Sequence, residues 1–129
     1  MAYENPGKVI TIEAGGNLSS DQYTLMVLAS DGQVDQSSNT STNTPIGVLQ
    51  NKPAAAGRAA TIMVSGVTKV IAGETIAIGD LVCQSSVAAG RVDTAGTSTD
   101  VIIGMATLGG AVGETISVLL FGGPGGEIR

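Results

Sequence analysis

GRAATIMVSG, residues 57–66, and GETISVLLFG, residues 113–122, decide how this chain folds. Each opens on a glycine, runs through β-branched and apolar residues, and closes on a second glycine. β-Branched side chains suit a pleated strand better than a helix, and glycine at both ends marks a short strand between turns. The two stretches lie 56 residues apart, and other pairs follow them. Thr40–Gly47 (TSTNTPIG) answers Thr97–Gly104 (TSTDVIIG) at an offset of 57, and Gly32–Asp35 (GQVD) answers Gly90–Asp93 (GRVD) at 58. Further back, Ala14-Gly15 followed by Asn17-Leu18 is matched by Ala72-Gly73 followed by Thr75-Ile76. Matches in one order at nearly one offset indicate a duplicated unit whose copies differ by loop insertions. The units are expected over 9–66 and 67–122, with an N-terminal arm (1–8) and a glycine-rich tail (123–129) outside them. Each unit, small and poor in aromatics, would be marginal alone, so the two are expected to pack into one core as one domain, or to interleave.

Within each unit the periodicity is that of strands. Lys8–Glu13, Tyr23–Leu28, Ala59–Ser65, Leu81–Cys83, Val101–Met105 and Thr115–Phe121 are short apolar or β-branched runs bounded by turn residues. Asp31-Gly32 between two such runs predicts a hairpin with a type I′ turn, whose central positions both need φ > 0. Glycine interrupts every helical stripe, so little helix is expected. The fold class is therefore all-β: a compact antiparallel β-barrel or β-sandwich made of two pseudo-repeats.

Composition narrows the function. There is no His, one Cys and a net charge of −5 from eleven acidic and six basic residues. The commonest general base and zinc ligand are thus absent, and a lone Cys83 forms no internal disulfide. It reads as a small buried hydrophobe, and a single thiol suits a reducing cytosol. Lys8, Lys52, Arg58, Lys69, Arg91 and Arg129 are scattered, and only Tyr3, Tyr23 and Phe121 are aromatic, which argues against nucleic-acid binding. Met1–Lys8 lacks the pattern of a signal peptide, and no apolar run is long enough for a bilayer. A soluble protein with no membrane partner is expected. Charged residues make up 13% of the chain, a sparse solubilising coat that is tolerable where surface becomes interface.

Motif by motif, no chemistry emerges. Asp31 and Asp35 read as solvated turn residues. Gly122-Gly123-Pro124-Gly125-Gly126 has no Lys-Ser/Thr after it and is not a phosphate loop. Gly73-Glu74-Thr75 and Gly113-Glu114-Thr115 read as strand-entry turns, and Gln36–Thr44 (QSSNTSTNT) as a surface loop. Ser65-Gly66 lacks the context and the His partner of a nucleophile. Met26, Met63 and Met105 lie in separate runs and are expected to fill core gaps. No catalytic, metal-binding or cofactor-binding residue is assigned, and the protein is expected not to be an enzyme.

Leu18–Leu28 (LSSDQYTLMVL), Asp31-Gly32, Ile46–Pro53 (IGVLQNKP), Gly57–Val70 (GRAATIMVSGVTKV), Ala72–Val82 (AGETIAIGDLV) and Ile103–Leu120 together resemble the capsid decoration, or cement, proteins of tailed bacteriophages. The resemblance spans about residues 9–122 and is most specific in IGVLQNKP and ATIMVSGVTKV. It implies a β-tulip-like protein made in the bacterial host cytoplasm and carried on the capsid exterior of the virion. There it would stabilise the head by clamping major capsid protein subunits, commonly as a trimer. It carries no catalytic residues over. The alternative is another virion module: a tail-tube, head-tail joining or adhesin-type projecting domain.

The arm offers the candidate capsid contact: Ala2, Tyr3, Glu4, Asn5, Pro6 and Lys8. It is polar, contains Pro6-Gly7 and lies outside the repeat. Such a segment can add a strand to an exposed sheet edge through main-chain hydrogen bonds, with Tyr3 as its anchor.

Overall fold

The computed structural model describes residues 2, 4–38, 44–96 and 101–121. Tyr3, the TSTN and TSTD matches at 40–43 and 97–100, and the tail over 123–129 lie outside them. The described residues form strands and turns with no helix, so the expected all-β class is what the chain adopts. After a two-residue β1 (Asn5–Pro6) come β2 (Val9–Glu13), β3 (Leu25–Leu28), β4 (Val34–Gln36), β5 (Pro45–Leu49) and β6 (Ala59–Met63). The rest of the chain supplies β7 (Ser65–Ile71), β8 (Leu81–Gln84), β9 (Val92–Thr94), β10 (Gly104–Leu108) and β11 (Thr115–Phe121).

These strands make two antiparallel sheets, ordered β2-β6-β5-β3-β4 and β1-β7-β11-β10-β8-β9. Apart from the added β1, the second order is the first order repeated, strand for strand. The registers agree as well. Val9↔Met63 in the first sheet has its counterpart in Val67↔Leu119, Leu49↔Ile62 in Ala106↔Val118, and Val27↔Asp35 in Cys83↔Asp93. Each sheet also curls until its end strands meet. Just past β2, Ala14 makes a parallel bridge to Val34 in β4, and just past β7, Ala72 does the same with Val92 in β9. The amides of Gly15 and Gly73 seal these junctions, donating to the carbonyls of Val34 and Val92 at 2.8 and 2.7 Å.

Curling gives each sheet an inside. In the first, Ala14, Leu18, Met26, Val34, Leu49, Ala60 and Ile62 are buried together. The second encloses Val70, Val82, Val92, Ala106, Ile116 and Val118 among others, and Leu25, Val48 and Met63 from the first sheet join that cluster. Burying a side chain of this size contributes about 1.5–3 kcal/mol, so the sheets are held together by the same term that holds each one. After the first step from β1 into β2, the chain crosses from one sheet to the other once more, at Val64 between β6 and β7.

Several local expectations give way. The Asp31-Gly32 hairpin is not type I′: Gly32 is at φ 84° while Ser30 and Asp31 are not at positive φ. The Gly32 amide donates to Ala29 at 3.0 Å and the Ala29 amide to Gln33 at 2.9 Å. A type I turn followed by one left-handed glycine satisfies the hairpin with a single φ > 0 residue, which Asp31 need not match. Asp35 is in strand β4, half-buried, and not in a solvated turn. Gln36 belongs to the same strand and Ser37 is fully buried, so the polar run enters the fold before any loop begins. The Ala59–Ser65 run divides between β6 and β7, and the strand expected at Val101–Met105 forms at Gly104–Leu108. Met63 and Met26 are core residues, but Met105 is 36% exposed and points outward.

Candidate interaction surfaces

The acidic side chains work on the backbone. Glu74 Oε2 accepts the Thr94 amide at 2.7 Å, Glu114 Oε1 the Ala111 amide at 2.6 Å, and Asp80 Oδ2 the Ala77 amide at 2.9 Å. Glu114 and Asp80 each cap a local turn, three residues from the amide they accept, whereas Glu74 holds the end of β9 from a distant turn. Among the described residues no three His, Cys, Asp or Glu side chains converge as a metal site would require. Cys83 is buried in β8. The functional reading therefore falls on surfaces and edges.

The N-terminal arm is partly seated on its own chain. Asn5 pairs with Val67 and Pro6 with Gly66, which makes β1 the edge strand of the six-stranded sheet. The Lys8 amide donates to Ser65 Oγ at 3.0 Å, and the Lys8 carbonyl accepts the Val64 amide at 2.9 Å. Ala2 is half-buried, while Glu4 and Lys8 are exposed. Of the six arm candidates, Asn5 and Pro6 thus have their backbone on β7, and Tyr3 is outside the described residues. The far side of β1 remains an edge. β7 can be covered this way because Gly7 sits against the Ser65 carbonyl, where any Cβ would collide at 2.7 Å.

A second surface was not legible beforehand. Val67, Leu119, Met105 and Leu81 are register partners across β7, β11, β10 and β8. Residues directly opposite one another in an antiparallel pair project to one face, and the neighbours of Leu119 and Met105 along their strands are buried. The four side chains therefore form an apolar row on the outside of the second sheet. Phe121, two residues beyond Leu119, extends the same face and is 46% exposed. Where the sheets meet, a small apolar cleft is lined by Pro45, Ile46, Gly47, Val64, Ile103 and Leu120. It has no polar side chain to orient a ligand.

Tyr23 joins the sheets. It is the one non-glycine at positive φ (66°) among the described residues. Its carbonyl accepts the Ile71 amide at 3.2 Å, and the Lys69 ammonium lies 5.7 Å from its ring centroid. The corresponding turn of the second sheet has Gly79 at φ 89°.

No protein-family model and no curated protein sequence matches the chain. Among solved structures, the fold is similar to that of the N base of the head fiber gp8.5 of bacteriophage phi29. The TM-score is 0.62 at 18% sequence identity, over 95% of this chain and 98% of that one. At that identity the likeness is one of fold.

Proposed function

We propose that this protein is a structural component of a phage virion, mounted on the outside of an assembled head, where it stabilises contacts between major capsid subunits. The observation that carries the reading is the fold held in common, over nearly the whole of both chains, with the base of a phage head fiber. The resemblance of IGVLQNKP and ATIMVSGVTKV to capsid decoration proteins points to the same particle.

The physics of decoration suits a small chain. An ordinary specific contact buries on the order of 800 Å² per partner. A trimer offering three such contacts gains avidity by effective concentration, so each contact need only be modest. Binding the assembled lattice in preference to free subunits stabilises the lattice by mass action. The proposed capsid contact is the arm: β1 presents a free strand edge, and Ala2, Glu4 and Lys8 flank it. The chain is read as two copies of one unit, 9–66 and 67–122, with the arm and the tail as additions to that scaffold. No catalytic role is assigned to any residue.

Deleting Ala2–Asn5 tests the contact. Undecorated heads should bind the intact chain and lose the truncated one; full retained binding would remove the arm from the proposal. A second reading is favoured by the neighbour's being a fiber base: the chain is a mount for a projecting module. In that case it binds heads but leaves their resistance to disassembly unchanged.

A further inference from the structure

The apolar row on the second sheet has a counterpart on the first. Val9 pairs with Met63, Met63 with Val48 and Val48 with Leu25, the same register positions as Val67, Leu119, Met105 and Leu81. The two rows meet different fates. Val48 and Met63 are 0% and 2% exposed, and with Leu25 they enter a cluster whose other members all come from the second half of the chain. Met105 and Leu119, at the matching positions, are 36% and 39% exposed. Apart from Val9, which is 47% exposed, the first row is covered because the second unit sits on it; among the described residues nothing covers Met105 and Leu119 in the same way.

The covering side shows the complementary asymmetry. The first unit reaches the second along β7 and the turn before β9. Leu25 donates its amide to Gly90 at 2.8 Å, Ile71 its amide to Tyr23 at 3.2 Å, and Gln50 Nε2 to Thr68 Oγ1 at 2.8 Å. On this receiving side Thr68, Val70 and Gly90 are buried. At the matching positions of the first unit, Ile10 and Ile12 are only half-buried and Gly32 is exposed. The first unit therefore has an open receiving side, and the second an open apolar row.

We propose that these two surfaces bind each other between copies: the Val67–Leu119–Met105–Leu81 row of one chain docks on the Ile10, Ile12 and Gly32 side of the next, repeating between chains the contact made within each. The row contains no charged residue, and the contact already built between the units specifies what fits it. Because a row meets a receiving side, the association is head to tail, and it closes into a ring where the rotation allows. The inference rests on the matched registers and burial and is independent of the virion reading.

The test is the mass in solution of the full chain and of a Leu119→Glu, Met105→Glu double variant, by sedimentation velocity over a dilution series. The wild-type chain should sediment as a discrete oligomer. The double variant should fall to the mass of one chain with unchanged far-ultraviolet circular dichroism, since both side chains already face solvent in the single chain. Mixing Leu119→Glu chains with folded Ile10→Glu chains should then give a dimer of one of each, as each supplies the half the other has lost. The proposal is overturned if the wild type is a single chain throughout, which would leave the row for a capsid partner. Retention of the wild-type mass by the double variant overturns it too. A mixture of folded variants that stays at single-chain mass rules out the head-to-tail pairing; should Ile10→Glu fail to fold, the first comparison decides alone.

Discussion

The backbone amide of Leu25 donates to the carbonyl of Gly90 at 2.8 Å, tying the first residue of β3 to a turn of the other sheet. The approach is possible because residue 90 has no side chain. A Cβ there would lie 2.6 Å from Gln36 Nε2 and 2.8 Å from Thr24 Cβ, and the backbone is at φ 74°. Gly90→Ala is expected to destabilise the protein by about 2–3 kcal/mol, a left-handed penalty of about 1 kcal/mol plus overpacking. Gly32→Ala, at φ 84° with nothing within 4 Å, should cost only the first part. Urea denaturation of the two variants side by side checks the difference, and equal losses would mean that Gly90 is not held by its neighbours.

Met63 and Leu119 share a register position but not a burial state. Met63→Ala is expected to cost about 2–5 kcal/mol, the range for emptying a packed site. Leu119→Ala should cost less than about 1 kcal/mol when measured on dilute, unassociated chain, as surface truncations do. The same denaturation experiment reads both.

At Gly47 and Gly104 a Cβ would run into the backbone carbonyls of Met63 and Leu119. Backbone cannot swing aside as a side-chain tip can. Gly47→Ala and Gly104→Ala are each expected to cost more than about 3 kcal/mol and to give largely insoluble protein. Soluble, cooperatively melting protein from either would contradict the close strand approach.

Tyr23 carries its ring at the cost of backbone strain. Tyr23→Ala loses the ring beside Lys69 but keeps the left-handed φ, whereas Tyr23→Gly loses the ring and the strain together. The glycine variant should therefore be the more stable of the two by about 1 kcal/mol. Thermal melting of the pair checks this, and the reverse order would show that φ 66° is not strained in this turn.

How much of this was legible in the chain follows from what covers each strand. Thr115–Phe121, bounded by glycines, could be read to the residue. Alternation also gave β2, where Ile10 and Ile12 point in while Val9, Thr11 and Glu13 point out. β5 escaped because Pro45 and Gly47 look like turn residues; Gly47 is there for the tight approach to β6. β7 escaped because Ser65-Gly66 looked like a boundary, yet β7 takes Gly66 into its ladder at φ 99°. The outward Met105 and the apolar row could not have been found by period. In β10 and β11 apolar residues lie on both faces, and which face is covered depends on where the other unit sits. The arm was recognisable as a segment apart, but its docking on β7 was not, since two residues of backbone pairing leave no pattern in side chains.

Attachment to the outside of a phage head can be seen by cryo-EM reconstruction of undecorated heads incubated with the purified chain. Added density is expected on the outer surface over junctions between major capsid subunits, with the N-terminal arm at the shell. Heads without added density, or density confined to the tail, would contradict it.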